Sequence, residues 1–587
     1  MPGPTDWLAI GAHDPQNARL EAALAVLSPR LAAAGWRRVS RRPAVWTSAA
    51  SRLPVIPLAD GLLLGRRHGP PANRPAPTSP LRLASRLMSD GWGGWVALLS
   101  GPADGAVTVI RDPAGALDAF VWRRGRLWVA ASDAHSGLDD LLPDEIEVDL
   151  DRLALILAHP AAASGASALR EIHAVAPGAV LTLTRDGAPD VRQVWTPARA
   201  ATRAVAPEDL RIAVETATRD LLAPHSRVIG EISGGFDSAV VAGTTARLGL
   251  ADGVSPWLTF HPMEPEGDER AWARAVAERA DLRLLERPKS PAALTRTDLE
   301  RLAEGLRPGL QGLDVEYDAE TAGLLADHGA SALLTGQGGD AVFFQYGTPA
   351  VAADRLARRG LRGLDPRFLH RLARWTRRSA WRVAGDAVRH RFGLGMRADP
   401  EAGASPGPEV HPWLTDLDAV PPAKRGQIRQ LVNAQVFHGD CLRRRAAELL
   451  HPLLTQPVME AGLGIPADVL VEGGRDRDLA RRLFADRLPD AVLSRRGKGE
   501  LSTYYGQVVR RTLPLANDLL IDGALVSAGL VDPDALRADL DPAHLIADGA
   551  YNMVLIRLVL EVWLRRWRAR LAARGQPLFE PGQDALV

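Results

Sequence analysis

The chain has 587 residues, 46% hydrophobic and 24% charged, the balance of an ordinary water-facing protein that builds large cores. At ~100–200 residues per domain, that length implies more than one. Lysine plus arginine (71) against aspartate plus glutamate (70) leaves a net charge of +1, so no general electrostatic case exists for nucleic acid or an anionic membrane.

The segment Met1-Pro2-Gly3-Pro4-Thr5-Asp6 has neither the basic nor the apolar region of a secretion signal. No apolar run approaches the ~20 residues of a membrane span. The single cysteine, Cys441, sits in a helical pattern with no disulfide partner, and a cytoplasmic enzyme is expected.

Residues 1 to about 195 alternate short apolar runs with Gly, Pro and Asp. Val55–Leu58, Gly94–Leu99, Ala106–Ile110, Ala119–Trp122 and Leu127–Ala131 predict an antiparallel β-rich domain. Ile172–Leu181 predicts a strand, a Pro-Gly turn at Pro177-Gly178 and another strand. A Pro-rich loop is expected between Arg66 and Pro80.

From Pro207 the period changes. Strand-like Val228–Ile232, Pro256–Phe260 and Ala332–Thr335 alternate with helical Glu208–Ala223, Glu269–Ala280 and Glu316–His328, the pattern of βαβ units and a parallel sheet. Beyond about Ala350 the pattern is almost wholly helical, interrupted by a loop at Ala398–Pro408. The arginine runs Arg443-Arg444-Arg445 and Arg565-Arg566 are expected on solvated helix faces, with a basic groove for a peptide or phosphate as the alternative.

Two glycine-rich loops carry the chemistry. In Val228-Ile229-Gly230-Glu231-Ile232-Ser233-Gly234-Gly235-Phe236-Asp237-Ser238, a β-branched run enters two glycines and then a helix. Gly234 and Gly235 let a phosphate approach main-chain N–H groups, and the helix aims its unsatisfied N–H groups at the same spot. Ser233 and Ser238 add hydroxyls, and Asp237 suits a magnesium ion bridging phosphate oxygens. The Lys-Ser/Thr ending of a Walker loop is missing. The second loop, Leu333-Leu334-Thr335-Gly336-Gln337-Gly338-Gly339-Asp340, also runs from a strand into glycines and one aspartate. Two aspartates at neighbouring strand ends can share one Mg²⁺, and such loops fall where parallel sheets bind ligands.

With these loops, the sequence resembles the asparagine-synthetase superfamily of ATP pyrophosphatases, whose synthetase domain carries Ser-Gly-Gly-x-Asp-Ser and a later Ser-Gly-x-Gly-x-Asp. Gly93–Ala97, Arg111-Asp112-Pro113-Ala114-Gly115 and Pro177-Gly178 are similar to landmarks of the family's glutaminase-like domain. Glu448–Leu454 sits at its Leu-Glu-x-Arg-x-Pro segment. Arg495-Arg496-Gly497-Lys498-Gly499 matches the element that supplies a catalytic lysine, with the second glycine one position early. The resemblance implies an α/β chain in two domains. Residues 1–200 would form a glutaminase-like antiparallel β-sandwich of the N-terminal-nucleophile (Ntn) type. Residues 205–587 would form a parallel-sheet, adenine nucleotide α-hydrolase-like domain with a helical extension.

Three departures narrow the function. A glutaminase of this family needs an N-terminal Cys; here Met1 precedes Pro2 and the only cysteine is Cys441. Asparagine synthetase has Glu at the positions of Gln337 and Ala341. An inactive first domain beside an intact adenylating domain resembles the branch that closes intramolecular amides. That branch holds the β-lactam and carbapenam synthetases and the lasso-peptide macrolactam synthetases. Gly336–Phe343, together with His451–Glu460 followed by Gly473-Gly474-Arg475-Asp476-Arg477, is similar to the lasso group. The other readings are an ammonia-dependent asparagine synthetase, a β-lactam-type small-molecule cyclase and a non-catalytic peptide-binding scaffold, whose mark would be loss of Asp237, Asp340 or Lys498; all three are present.

The resemblance implies ATP and Mg²⁺, and as partners a precursor or core peptide, a leader peptidase and a leader-binding protein, with no nucleic acid or membrane. Ser233, Gly234, Gly235 and Ser238 would cradle pyrophosphate, Asp237 and Asp340 would hold the metal, and Leu258 and Gly336 would line adenine and ribose. Lys498 would stabilise charge on the adenylate and the tetrahedral intermediate; Gln337 and Arg495 are the other catalytic candidates. The base for the amine is left open. Related lactam formers use a Tyr–Glu pair whose Tyr position is Gln337 here. Asp440 and Glu448 are weighed against ion-pair roles, and His438 and His451 are expected to be structural.

Overall fold

The computed structural model describes residues 2–13, 18–71, 79–101, 105–134, 138–263, 265–392, 394, 406–497, 502–543, 545 and 551–574. The first part of the chain builds two antiparallel sheets. One is formed by β1 (Trp7–Ala12), β2 (Trp36–Ser40), β3 (Ala44–Ser48), β8 (Phe120–Arg124), β9 (Leu127–Ala131) and β10 (His173–Ala174), in the order β10-β8-β9-β1-β3-β2. The other holds β4 (Val55–Leu58), β5 (Gly61–His68), β6 (Trp92–Ser100), β7 (Val107–Arg111), β11 (Ala179–Leu183) and β12 (Asp190–Gln193), in the order β12-β11-β7-β6-β5-β4.

The sheets pack face to face because alternate residues share a core. Trp7, Ala9 and Val45 of one meet Leu64, Val96 and Val109 of the other. The intervening residues Leu8, Ile10, Trp95 and Ile110 point outward into a second buried cluster. With both faces covered, the strands read as continuous apolar runs rather than polar–apolar alternation. The Pro-rich loop expected from Arg66 begins later: Arg66 to His68 continue β5, paired with Gly94 to Trp92 of β6. Its stretch 72–78 lies outside the described residues, as do residues 398–405 of the second expected loop.

The third sheet is parallel. It consists of β13 (Val228–Glu231), β14 (Val254–Pro262), β15 (Leu284–Lys289), β16 (Ala332–Leu334) and β17 (Glu448–Leu450), in the order β15-β14-β13-β16-β17. The helices Pro207–Leu222, Arg270–Ala280 and Val315–Asp327 fall within a residue of expectation. The sheet starts at β13, grows to one side through β14 and β15, then resumes on the other side at β16. A crevice opens at such a reversal, outside the carboxyl ends of the strands. Beyond Ala350 the regular elements among the described residues are helical as expected except β17, which completes the sheet's far edge. No described helix is long and apolar enough to cross a membrane.

Arg443 and Arg444 depart from the solvated face expected of them, while Arg445 stays partly exposed. Arg443 and Arg444 are buried. Arg443 Nε donates to Asp318 at 2.7 Å, and Arg444 joins Arg111 and Arg307 around Asp118. Arg445 pairs with Asp440 and Glu304, which gives Asp440 the ion-pair role. Arg565 and Arg566 stay partly exposed, with Arg565 on Glu561. The Asp118 cluster joins a strand-loop residue of the first region to two arginines of the second. Trp413 Nε1 donating to Pro177 O at 3.0 Å and Trp195 Nε1 donating to Glu460 at 2.6 Å tie the same two regions together.

Candidate active site

The two glycine-rich loops leave β13 and β16, the strands that flank the sheet's reversal. The first turns through Ser233–Gly235 into the helix Phe236–Arg247, with Asp237 in its first turn. Ser233 N–H donates to Ser238 Oγ at 3.1 Å, and Ser238 Oγ donates to Gly235 O at 3.2 Å, so both serines fix the turn. The second loop lies directly against the first. A Cβ on Gly336 would sit 2.4 Å from Ser238 N, and one on Gly339 would sit 2.4 Å from Asp237 Cγ. Those two glycines are therefore required by close approach.

This interlock brings Asp237 and Asp340 together around one cation, Arg477. Its Nε and Nη2 donate to the two oxygens of Asp237 at 2.8 and 2.7 Å. Nη2 also reaches Asp340, and Nη1 donates to Asp476 at 3.0 Å. Burial raises the Asp237 carboxyl; Arg477 opposes that rise and the nearby Asp340 adds to it. Burial alone would lower the Arg477 guanidinium, but Asp237, Asp340 and Asp476 hold it above its ordinary value. A cavity of about 760 Å³ opens here, lined by both loops.

The model of the family described as asparagine synthase matches residues 209–565, well over half of the chain. The chain belongs to the asparagine synthase family. That family comprises ATP-dependent amide ligases, which bind ATP, typically with Mg²⁺. No curated protein sequence matches the chain. Among solved structures, one titled as the allosteric regulatory enzyme of purine biosynthesis is 11% identical, covers 49% of this chain and 76% of its own, and has a TM-score of 0.19. Glutamine phosphoribosylpyrophosphate amidotransferase from B. subtilis, complexed with ADP and GMP, is 10% identical, covers 56% and 90%, and scores 0.16. Neither likeness carries an argument about fold or function.

In this asparagine synthase domain, Ser233, Gly235, Asp237, Ser238, Gly336 and Asp340 all border the one cavity. Gly234 shapes the loop behind them, and its carbonyl accepts from Arg495 Nη1 at 2.9 Å. Arg495 also pairs with Glu269 and stacks over Trp272, 4.0 Å from the ring centre. It braces the first loop while lining the cavity. Gln337 lines the cavity too, its N–H donating to Thr335 Oγ1 at 3.3 Å. Leu258 borders the cavity from the middle of β14, not from a strand end, and its side chain is buried in the core with Ile229 and Leu333. Lys498 lies outside the described residues, while Arg496 and Gly497, just before it, line the cavity.

The pair of aspartates fits a divalent ion. A guanidinium already spans the two carboxylates, so the place between them accommodates positive charge. Among the described residues no group of three or more His, Cys, Asp or Glu is arranged to hold a metal. Mg²⁺ suits such a site, because it takes one or two carboxylates and fills its shell with phosphate oxygens and water.

The remaining acid and histidine candidates, Asp440, Glu448, His438 and His451, do not line this cavity. Glu448 pairs with Arg66 and lies 3.5 Å from His225. His451 Nδ1 is 2.7 Å from Thr335 Oγ1, and burial lowers it to about 4. Burial likewise drives His438 well down.

Three cavity residues escaped the sequence reading. Arg477 stood in a matched segment with no role. Glu231 is the last residue of β13 and carries no motif of its own. Tyr317, on the helix Val315–Asp327, donates its hydroxyl to Glu231, and no local motif marks it.

Proposed function

We propose that this family member closes a macrolactam in lasso-peptide biosynthesis. An Asp or Glu side chain of a linear core peptide attacks the α-phosphate of ATP, giving an acyl-adenylate and pyrophosphate. The peptide's own N-terminal amine then displaces AMP and closes the ring. The observation that carries the adenylation half is the interlock of the two loops, which sets Asp237 and Asp340 around one cationic position beside the Ser233–Ser238 turn. Asp237 and Asp340 would hold Mg²⁺, which when bound neutralises phosphate charge and makes pyrophosphate a better leaving group.

The chain's own groups do the rest. Main-chain N–H groups and the Ser233 and Ser238 hydroxyls bind the phosphates. Arg495 keeps the turn in shape through Gly234 O. Lys498 would place positive charge at the adenylate and at the tetrahedral oxyanion. The cavity falls within the ~300–1,000 Å³ of small-ligand sites, and Phe260, Trp375 and Phe437 line it together with the loops. Those rings suit a peptide chain better than free ammonia. The peptide would be delivered by a leader-binding protein and freed by a leader peptidase.

A source of ammonia inside the chain is not expected. Burial pushes the one thiol, Cys441, up to about 12, with Asp318 adding to the shift, so it is no nucleophile at neutral pH. The Arg111 guanidinium is spent on backbone carbonyls and Asp118. Protein given glutamine and ATP should release no glutamate above blank. Measurable release would show that the first region is more than a structural partner. The adenylation half is tested by ATP–pyrophosphate exchange with an N-acetylated linear peptide carrying one acidic residue. Exchange that depends on the peptide supports the reading, and its absence across peptides with the acid at positions seven to nine contradicts it.

A further inference from the structure

The floor of the cavity holds an arrangement that adenylation does not use. Glu231 ends β13, the one charged residue in Val228-Ile229-Gly230-Glu231-Ile232, and it lines the cavity two positions before Ser233. A carboxylate at a buried strand end is costly unless it is partnered. Its partners come from two other elements. Tyr317 Oη donates to Glu231 Oε1, and Arg443 Nη1 donates to Tyr317 Oη at 2.7 Å.

The direction of this chain is fixed by its donors. Arginine only donates, so Tyr317 accepts from Arg443 and spends its own proton on Glu231. Oε1 is thereby held as an acceptor. No hydrogen bond reaches Oε2 among the described residues. The Arg443 guanidinium lies 4.3 Å from the Tyr317 ring centre and is anchored on buried Asp318, so the relay is rigid. Phe260 packs edge-on against the same ring at 5.0 Å.

The surroundings already accommodate an ammonium. Lys289, at the end of β15, pairs with Asp314 and lies 4.3, 5.5 and 5.7 Å from the ring centres of Tyr504, Tyr505 and Tyr317. Burial raises the Glu231 carboxyl above the usual range, against the lowering by Arg443 and by the Tyr317 hydrogen bond. A stronger base results, still held by a donor to its charged form.

We infer that Glu231 is the proton acceptor for a primary amine that attacks the acyl-adenylate, with Tyr317 and Arg443 as positioning residues. The inference rests on the adenylating reading above and assigns the other half of the reaction. The neutral amine's lone pair forms the N–C bond at the acyl carbon. The nitrogen's excess proton passes to Glu231 Oε2. The acyl C–O bond to phosphate then breaks, and its electron pair leaves with AMP. Glu231 returns the proton to water as products depart.

The test uses the full chain, ATP, Mg²⁺ and two linear peptides that share one acidic residue at position seven, eight or nine. One has a free N-terminus and the other is N-acetylated. Glu231→Gln keeps an acceptor for Tyr317 but cannot take a proton. It should hold pyrophosphate exchange with the acetylated peptide within about threefold, and still give hydroxamate when hydroxylamine is added. Ring closure of the free peptide should fall ~10²–10³-fold, the usual cost of a general base. In the wild type, closure should rise with pH through the Glu231 ionisation. Tyr317→Phe removes a donor that favours the carboxylate and should move that limb to higher pH, in surroundings also charged by Arg443, Lys289 and Asp314. Ring closure by Glu231→Gln at the wild-type rate would overturn the inference alone. Equal loss of exchange and closure would make Glu231 a structural residue and overturn it too. A wild type giving neither exchange nor hydroxamate would remove the adenylating reading and this inference with it.

Discussion

Asp237→Ala and Asp340→Ala should each abolish ATP–pyrophosphate exchange while the protein stays folded. In this structure the two carboxylates share Arg477, so each substitution also breaks an ion pair. The consequences for folding differ. Removing one partner of a buried pair costs up to ~3–5 kcal/mol where the other charge is left alone. Here Arg477 keeps Asp476 and one loop aspartate, so the loss should be smaller. Asp340 is half exposed, and its variant should unfold within a few degrees of the wild type.

A double substitution separates the two roles of Asp237. Asp237→Asn with Arg477→Met removes both ends of that ion pair; Asp476 keeps Arg481 and Asp340 is half exposed, so little buried charge is left alone. If Asp237 only neutralised Arg477, the double variant should recover exchange. If it holds the metal, exchange stays absent, which is the expected result. Near wild-type exchange in any of the single aspartate variants would mean that residue is no magnesium ligand.

The second large effect is expected at Lys498. Arg495 anchors the preceding segment to the Gly234 carbonyl and to Glu269, and Arg496 and Gly497 border the cavity. Lys498, the next residue in sequence, is proposed to meet charge that develops during reaction. Lys498→Ala should leave ATP and peptide affinity within a few-fold and cut turnover by ~10²–10³, the usual cost of one such donor. Lys498→Arg should rescue poorly, because a planar fork does not replace a compact point charge. A variant that only raises KM would make Lys498 a ground-state binder. One that turns over normally would return it to an ordinary loop lysine.

Much of the framework was legible because it is local. The loops announced themselves by glycines between a strand and a helix, and the parallel sheet by strands alternating with helices. β1, β3 and β5 carry no period-two signal because the two antiparallel sheets are covered on both faces; β7 and β9, equally buried, are legible from the Gly and Asp residues that bound them. β17 is three residues long, and its partner β16 lies more than a hundred residues earlier. Arg443 and Arg444 misled because a charge run has no local mark of burial. Only the arrival of Asp318 and Asp118 from distant segments makes room for them inside. The same reason hid Arg477 and the Glu231–Tyr317 pair: each is a relation between segments separated by scores of residues.

The most direct measurement of the central claim is mass. A linear peptide with a free N-terminus and an acidic residue seven to nine positions along is incubated with the protein, ATP and Mg²⁺. The account predicts a product lighter by one water, resistant to N-terminal labelling, with one AMP and one pyrophosphate released per ring. An unchanged peptide mass while ATP is cleaved, or a product amidated by added ammonia with the N-terminus still free, would contradict it.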